Sequence, residues 1–507
     1  MAPTLAVEAL EKALRQSVAM RAWLHSRRWC GDALGAKTEF AVKDRAVLAE
    51  AGEESVVFFL AVAKESNTST PMHIPLAVSP AKPEPEAFEL PIGPDRRYVT
   101  DGERSEAYAR FLVDGFRDRL TIRTDKGNAL HFDGDPLGTF RAREPSAEDS
   151  SNVLVRIATS AATIVFKSYK LLDPGNREPA ILQRLHQKAF PHAPRYRGEL
   201  ALGKGEDRLV LGVATDHVDA ADAFAWLTDG WRAELTAPIP DFEGASLDFA
   251  ATLGGATAAL HDALTDRHPG PFQVESFTGE DAEAATRAAL TNLSDSLRRL
   301  AALAKGPDRR LGELAAKSRA LVFEDRERIE STLRGLEACV GTAKTVTHAD
   351  LHLAQVLRTA RGDLLFVDFE GEPERAPGER SAKLPPVRDV ATMNRSFAYV
   401  KHYAWREATK GDATAAWRFL RREDWSPDEE AFGHRLTSWE SAAVDRFTRA
   451  YLTRSSAYEA VEPESALRMV RGWAIEKALY ELRYELKHRP QNIFIPLEGV
   501  LTLAAVS

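Results

Sequence analysis

Cysteine is nearly missing from this sequence: its 507 residues include two, Cys30 and Cys339. They lie far apart and outside any C-x-x-C spacing, which excludes a disulfide framework and a zinc knuckle. No run of about 18 apolar residues occurs, as a membrane-spanning helix would require. The residues after Met1 also lack the basic region, apolar stretch and cleavage site of a secretory leader. The expectation is a cytoplasmic protein with no membrane partner. Positive charge is not in excess either, since 67 basic and 75 acidic residues leave a net charge of −8. With these charges spread along the chain, no basic stripe exists for nucleic acid. Internal repeats and low-complexity tracts are missing, as are the G-x-S-x-G, G-x-G-x-x-G and H-E-x-x-H motifs.

What remains is an ordinary globular composition, 44% hydrophobic and 28% charged, on a chain too long for one core. Apolar positions Val7, Leu10, Leu14 and Val18 predict one amphipathic helix over 5–24. Residues 56–63 read as a strand, and the proline-rich stretch 71–94 as a connection that cannot be helical. A separate N-terminal unit is expected before about residue 110. Paired strands are expected over 153–171, then a helix over 178–187, then a hairpin over 198–214. Beyond it the chain turns mostly helical, with 3.6-residue periodicity over 249–264, 281–304, 310–339 and 466–488.

The chemistry concentrates after residue 340. Thr347-His348-Ala349-Asp350-Leu351-His352-Leu353-Ala354-Gln355 is followed by the apolar run 364–367 and then by Asp368-Phe369-Glu370, so a hairpin should present acids at both ends. Phosphoryl transfer needs one carboxylate to orient the attacking hydroxyl and accept its proton. It needs a second, with an amide oxygen, to hold the metal on the phosphates. Asp350 suits the first task; Asp368 and Gln355, with Glu370 beside them, suit the second. A hydrolase metal site built on His348 and His352 would want further close ligands, which the neighbouring sequence does not supply. The phosphotransfer reading calls for an upstream strand lysine and a helical acid to fix it, and Lys167 and Glu178 stand in that order. The near-match Gly198-Glu-Leu-Ala-Leu-Gly203-Lys204-Gly205 to a phosphate loop fails. Its last position lacks a hydroxyl, and a strand, not a helix, follows.

His348-Ala349-Asp350-Leu351-His352-Leu353-Ala354-Gln355-Val356-Leu357-Arg358 and Val367-Asp368-Phe369-Glu370-Gly371-Glu372-Pro373 together resemble the signature of the actinobacterial maltokinases. Arg27-Arg28-Trp29, Ser151-Asn152, Pro386-Val387-Arg388-Asp389 and the stretch from Glu476 to Glu485 extend the likeness. The resemblance implies an α+β, bilobal fold, like that of eukaryotic protein kinases and aminoglycoside phosphotransferases. On this chain it would comprise an N-terminal cap at 1–110, a β-rich N-lobe at 111–215 and a helical C-lobe at 216–507. It implies ATP and Mg2+ as cofactors and transfer to the anomeric hydroxyl of maltose, in α-glucan synthesis, with a trehalose-converting enzyme as a possible partner. Ser151, Asp216 and Val218 are the further expected nucleotide contacts, and His352, Arg388, Asp389, Tyr480 and Glu481 the expected sugar contacts. For Arg388 the preferred role is to brace the active-site loop, and a Tyr/Glu stripe on a helix is more often packing and solvation. Glucosamine kinases share this build and give the alternative acceptor. A silent nucleotide-binding regulator and an antibiotic kinase are the remaining readings.

Overall fold

In the computed structural model, which describes residues 3–31, 34, 38–65, 68–92, 95–144, 152–205, 208–236, 241–372, 375, 377–408 and 425–505, the chain forms two compact units. One comprises Met1–His186 with Pro194–Val218, the other Gln187–Ala193 with Asp219–Ser507. Among the described residues no helix is long and apolar enough to cross a membrane.

The first unit opens with two helices, Pro3–Gln16 and Val18–His25, where the sequence predicts one. Ser17 makes the break: its backbone is extended and its Oγ accepts the Met20 N–H, capping the second helix. Both helices lie on a five-stranded antiparallel sheet in the order β1-β2-β3-β5-β4. Its strands are β1 Glu39–Ala51, β2 Glu54–Glu65, β3 Thr68–Ser79, β4 Phe88–Ile92 and β5 Asp95–Asp101. Val57, Phe59 and Ala61 of β2 pack with Leu10, Leu14, Trp23 and Leu24 of the helices. Phe58, on the opposite face, is equally buried, and each such ring contributes roughly 1.5–3 kcal/mol by leaving water.

The expectation of a connection over 71–94 is corrected here, because β3 and β4 occupy most of it. Pro71 and Pro75 are accommodated by parity. The Pro71 carbonyl and the His73 N–H bond to Leu172 and Lys170, on the side away from β2, so these positions owe no donor to the β2–β3 ladder.

A seven-stranded sheet in the order β6-β7-β11-β12-β10-β9-β8 completes the first unit. It comprises β6 Thr121–Arg123, β7 Ala129–Gly134, β8 Phe140–Glu144, β9 Val153–Thr159, β10 Thr163–Ser168, β11 Tyr196–Leu202 and β12 Leu209–Asp216. The boundary expected at residue 110 falls inside the helix Glu106–Asp118. That helix packs against strands of both sheets, with Phe111 and Phe116 edge-on to Phe132 of β7, so the two sheets belong to one compact unit. The Gly203-Lys204-Gly205 segment lies in the β11–β12 turn with Gly203 and Gly205 at φ +76° and +65°, so the hairpin reading holds and the phosphate-loop reading falls.

The second unit is largely helical. Its helices include Phe242–Ala263, Gly279–Leu303, Val387–Ala408, Pro427–Arg454, Pro463–His488 and Phe494–Ala505, and a small antiparallel sheet of Ala220–Asp222, Val356–Thr359 and Leu364–Phe366 packs on the helix Ala223–Thr236. The helix expected over 310–339 is split at Asp325 into Arg309–Glu324, Arg326–Leu333 and a 3-10 turn. Gly472 is required where Pro463–His488 crosses that turn, since a Cβ there would sit 2.7 Å from the Gly335 carbonyl carbon.

Lys170 and Glu103 form a fully buried ion pair at 2.7 Å in the first unit, with Ser168 Oγ also donating to Glu103 at 2.8 Å. Removing one partner strands a charge in the interior. Lys170→Met should therefore lower stability by about 3–5 kcal/mol, and Lys170→Met with Glu103→Leu should recover much of it. Chemical denaturation of the two variants checks this.

Candidate active site

Strands Val356–Thr359 and Leu364–Phe366 pair in the register Val356 to Phe366 and Arg358 to Leu364. The ladder continues with the Val367 N–H on the Gln355 carbonyl at 3.0 Å. This places Gln355 beside Asp368, and the Gln355 Nε2–H donates to Asp368 Oδ2 at 2.8 Å. With the amide nitrogen thus engaged, Oε1 is the atom left to meet a cation. Carboxylate oxygens of Asp368 and Glu370 approach within 4.8 Å of each other. The donor set is all oxygen, which suits a hard divalent ion such as magnesium.

Upstream of the hairpin the loop 347–352 has no regular structure of its own and is held from outside. Ala349 adopts φ +67° and Asp368 φ +65°, left-handed backbone that costs a residue with a Cβ on the order of 1–3 kcal/mol. The strain at Ala349 is offset by the helix Val387–Ala408. Asp389 Oδ2 accepts the His348 N–H at 2.8 Å, Asp389 Oδ1 accepts the Ala349 N–H at 3.1 Å, and Arg388 Nη1 donates to the Ala349 carbonyl at 3.1 Å. Ser396 Oγ accepts the Leu353 N–H at 2.9 Å. His348 Nε2, 3.0 Å from the Val367 carbonyl, ties the loop to the residue preceding Asp368.

Asp350 emerges from this clamp with its side chain 17% exposed and Lys477 Nζ at 3.4 Å from Oδ1. Lys477 also pairs with Glu372, which takes Arg388 at 2.5 Å and Arg375 as well. Burial alone would raise Glu372, but Arg388, then Lys477 and Arg375, hold it well below the usual carboxylate range. Burial opposes the charge of Lys477 too, yet Glu372 and Asp350 keep it a cation with a raised pKa. His352 lies beside Asp350 at 3.8 Å, beyond hydrogen-bond range, and burial lowers its pKa.

In the first unit the Lys167–Glu178 pair forms. Lys167 on β10 reaches Glu178 Oε2 at 2.9 Å, and the Tyr169 hydroxyl donates to the same oxygen at 2.7 Å. Glu178 opens its helix after the Asp173-Pro174-Gly175-Asn176 turn, with Asn176 Oδ1 accepting the Glu178 N–H at 2.9 Å.

Other expected residues are placed differently. Arg388 and Asp389 are 1% and 0% exposed. Their side chains meet the loop, Glu372, Glu476 and His261, so both brace the site and leave no surface for a sugar. Asp216 pairs both oxygens with Arg197 at 2.6 and 3.1 Å. Val218 is half-buried in the segment after β12, and Ser151 lies outside the described residues. Glu481 accepts from Arg395 Nε at 3.0 Å and is mostly buried. Tyr480 stacks on Tyr484 with ring centroids 6.4 Å apart and takes Lys477 on its face at 4.8 Å. Of the five expected sugar contacts, His352 is the most exposed.

Lys477 and Glu372 stand inside the motifs quoted above, yet spacing alone did not single them out. A lysine set in an otherwise apolar helical register, at 477, was the available signal.

No family model matches the chain. It is 27% identical to the glucosamine kinase of Mycolicibacterium smegmatis over 364 residues, 71% of this chain and 78% of that protein. It is 26% identical to the glucosamine kinase of Streptacidiphilus jiangxiensis over 331 residues, so it spans 64% of that relative's length and the match takes in 64% of its own. Among solved structures, a glucosamine kinase in complex with glucosamine, ADP and inorganic phosphate superposes with a TM-score of 0.61 at 20% identity, covering 96% of this chain and 98% of that one. Crystal form B of a glucosamine kinase gives 0.62 at 19% identity, with 98% and 97% covered. The chain therefore has the mixed α+β, kinase-like fold of the solved glucosamine kinases.

Proposed function

We propose that this protein is an ATP-dependent sugar kinase. The observation that carries the reading is Asp350, held partly exposed on a clamped loop while the adjoining hairpin presents Gln355 and Asp368 as an oxygen-bearing pair. Asp350 orients a sugar hydroxyl and accepts its proton as the oxygen attacks the γ-phosphorus. The bond from that phosphorus to the β–γ bridging oxygen breaks, and ADP leaves with the electron pair. Lys167, fixed by Glu178 and Tyr169, pairs with the nucleotide phosphates. Magnesium would be held by Asp368, Gln355 and Glu370, and when bound it supplies positive charge against the phosphates.

Glucosamine is the first acceptor to test, because the sequence relatives and the structural neighbours named above carry that name. A second reading, maltose, is favoured by Lys477. An amino sugar brings an ammonium group toward a site where Lys477 already stands 3.4 Å from Asp350. The carboxylates of Glu372, Glu476 and Glu481 are meanwhile paired with arginine or lysine. A neutral disaccharide meets no such repulsion, and the motif resemblance to maltokinases points the same way. A trehalose-converting partner belongs to this second reading. The same pairing disfavours a polycationic antibiotic, which would want unpaired acids.

Asp350→Asn should cut turnover by about 10²–10⁴-fold while leaving nucleotide affinity in place, because the amide keeps its shape but cannot take the proton. Steady-state kinetics with nucleotide titration tests it, and near-normal turnover removes Asp350 from the base role.

Lys167→Met should weaken ATP binding by roughly 10- to 100-fold, the worth of a charge-assisted hydrogen bond of about 1.5–3 kcal/mol. Calorimetric titration with ATP reads this, and unchanged affinity would remove Lys167 from the phosphate contacts.

A panel of glucosamine, maltose, glucose and kanamycin with ATP and magnesium decides the acceptor, with the phosphate located by NMR. Transfer to glucosamine alone supports the first reading and transfer to the maltose anomeric oxygen the second. Transfer to none of the sugars refutes the sugar-kinase assignment.

A further inference from the structure

Lys167 has a fully buried counterpart on the same stretch of chain, Lys170. Along extended backbone successive side chains face opposite ways, and residues 167–170 use both faces. Lys167 and Tyr169 turn to Glu178, where Lys167 Nζ lies 2.9 Å from Oε2 and the Tyr169 hydroxyl donates to the same oxygen at 2.7 Å. Ser168 and Lys170 turn to Glu103, in the 3-10 turn Gly102–Arg104 that follows β5. There Lys170 Nζ donates to Oε1 at 2.7 Å and Ser168 Oγ to the same oxygen at 2.8 Å. Two acids thus grip one stretch of chain from opposite sides, each taking a lysine and a hydroxyl on a single oxygen.

The five-stranded sheet adds backbone contacts to this grip. The His73 N–H of β3 donates to the Lys170 carbonyl at 3.0 Å, and the Leu172 N–H donates to the Pro71 carbonyl at 2.8 Å. Two motif stretches with no part in the proposed chemistry also meet here. Trp29, of Arg27-Arg28-Trp29, places its ring 4.3 Å from Lys170 Nζ, and its Nε1–H donates to Asp101 Oδ1 at 3.1 Å. Asn152, of Ser151-Asn152, accepts the Lys170 N–H on Oδ1 at 3.3 Å.

We propose that Lys170, Glu103 and Ser168 are positioning residues for the phosphate lysine, and that through them the five-stranded sheet belongs to the nucleotide site. Lys167 itself sits in the ladder, opposite Leu154 and Val213, but β10 ends at Ser168 and Tyr169 lies beyond it. Without the Glu103 anchor, Tyr169 turns with the released chain, and Glu178 loses a donor that keeps it beside Lys167. The effect on nucleotide binding rests on the sugar-kinase reading, whereas the anchor has a readout of its own.

Lys170→Met with Glu103→Leu removes the anchor's charges while filling its space, and so separates position from stability. The double variant should bind ATP about tenfold more weakly, with the KM of the sugar that the acceptor panel identifies unchanged. The His73 and Leu172 amides should exchange faster. Calorimetry reads the affinity and hydrogen exchange the amides, and neither needs turnover. Wild-type ATP affinity or unchanged exchange in this variant, or equal losses toward ATP and acceptor, overturns the inference. Should the double variant fail to fold, Ser168→Ala decides. It takes only one hydroxyl from Glu103, and unchanged ATP affinity with unchanged amide exchange would refute the anchor. If the wild-type protein binds no ATP, the sugar-kinase reading falls, while the exchange data still decide whether Glu103 holds this stretch.

Discussion

A single carboxylate sets the geometry of the second unit's chemistry. Asp389 spends one oxygen on the His348 N–H and the other on the Ala349 N–H, and this holds an alanine where glycine would be at ease. The loop before Asp350 has no regular secondary structure, so its shape is borrowed from the helix Val387–Ala408. That helix is in turn fixed by buried Phe397, Trp405 and Met393. The position of Asp350 thus depends on core packing many residues away, and the strain at Ala349 is tolerated because the surrounding structure over-determines it.

A second layer is electrostatic. Glu372 would be a poor group to bury alone, yet Arg388, Lys477 and Arg375 surround it. The cluster places a permanent cation against Asp350. The low dielectric that makes each charge expensive also makes their mutual attraction strong, which is why such a cluster is stable only when complete. Lys167 and Glu178 follow a simpler logic: one lysine, one acid and one tyrosine hydroxyl, with Lys167 partly open to solvent.

The parts legible in the sequence were those encoded over short spans. Gln355 and Asp368 could be paired because a hairpin register follows from local alternation, and Lys167 with Glu178 because strand, turn and helix follow one another without interruption. The kinase-like fold followed from the same motifs. Interior partners were not legible. Arg388 and Asp389 read as candidate sugar contacts because charge in a motif suggests a ligand, while their burial is a property of the packed helix. His261 lies 128 residues from Asp389, and no spacing rule connects them. The two prolines of β3 misled for a different reason: propensity names a break, but not whether the neighbouring backbone needs the missing donor. Ser17 was passed over because the apolar spacing runs on across its cap.

The ring of charge around Glu372 has a bearing on how this site could be altered. Replacing Glu372 alone would leave Arg375, Arg388 and Lys477 crowded without their common anion. Replacing Lys477 alone would remove the cation that both Glu372 and Asp350 face. The positions are therefore coupled: a change in acceptor charge preference cannot be introduced one residue at a time. An intermediate with an unbalanced interior would be destabilised by about 3–5 kcal/mol, so paired substitutions that keep the local charge sum constant are the less costly route.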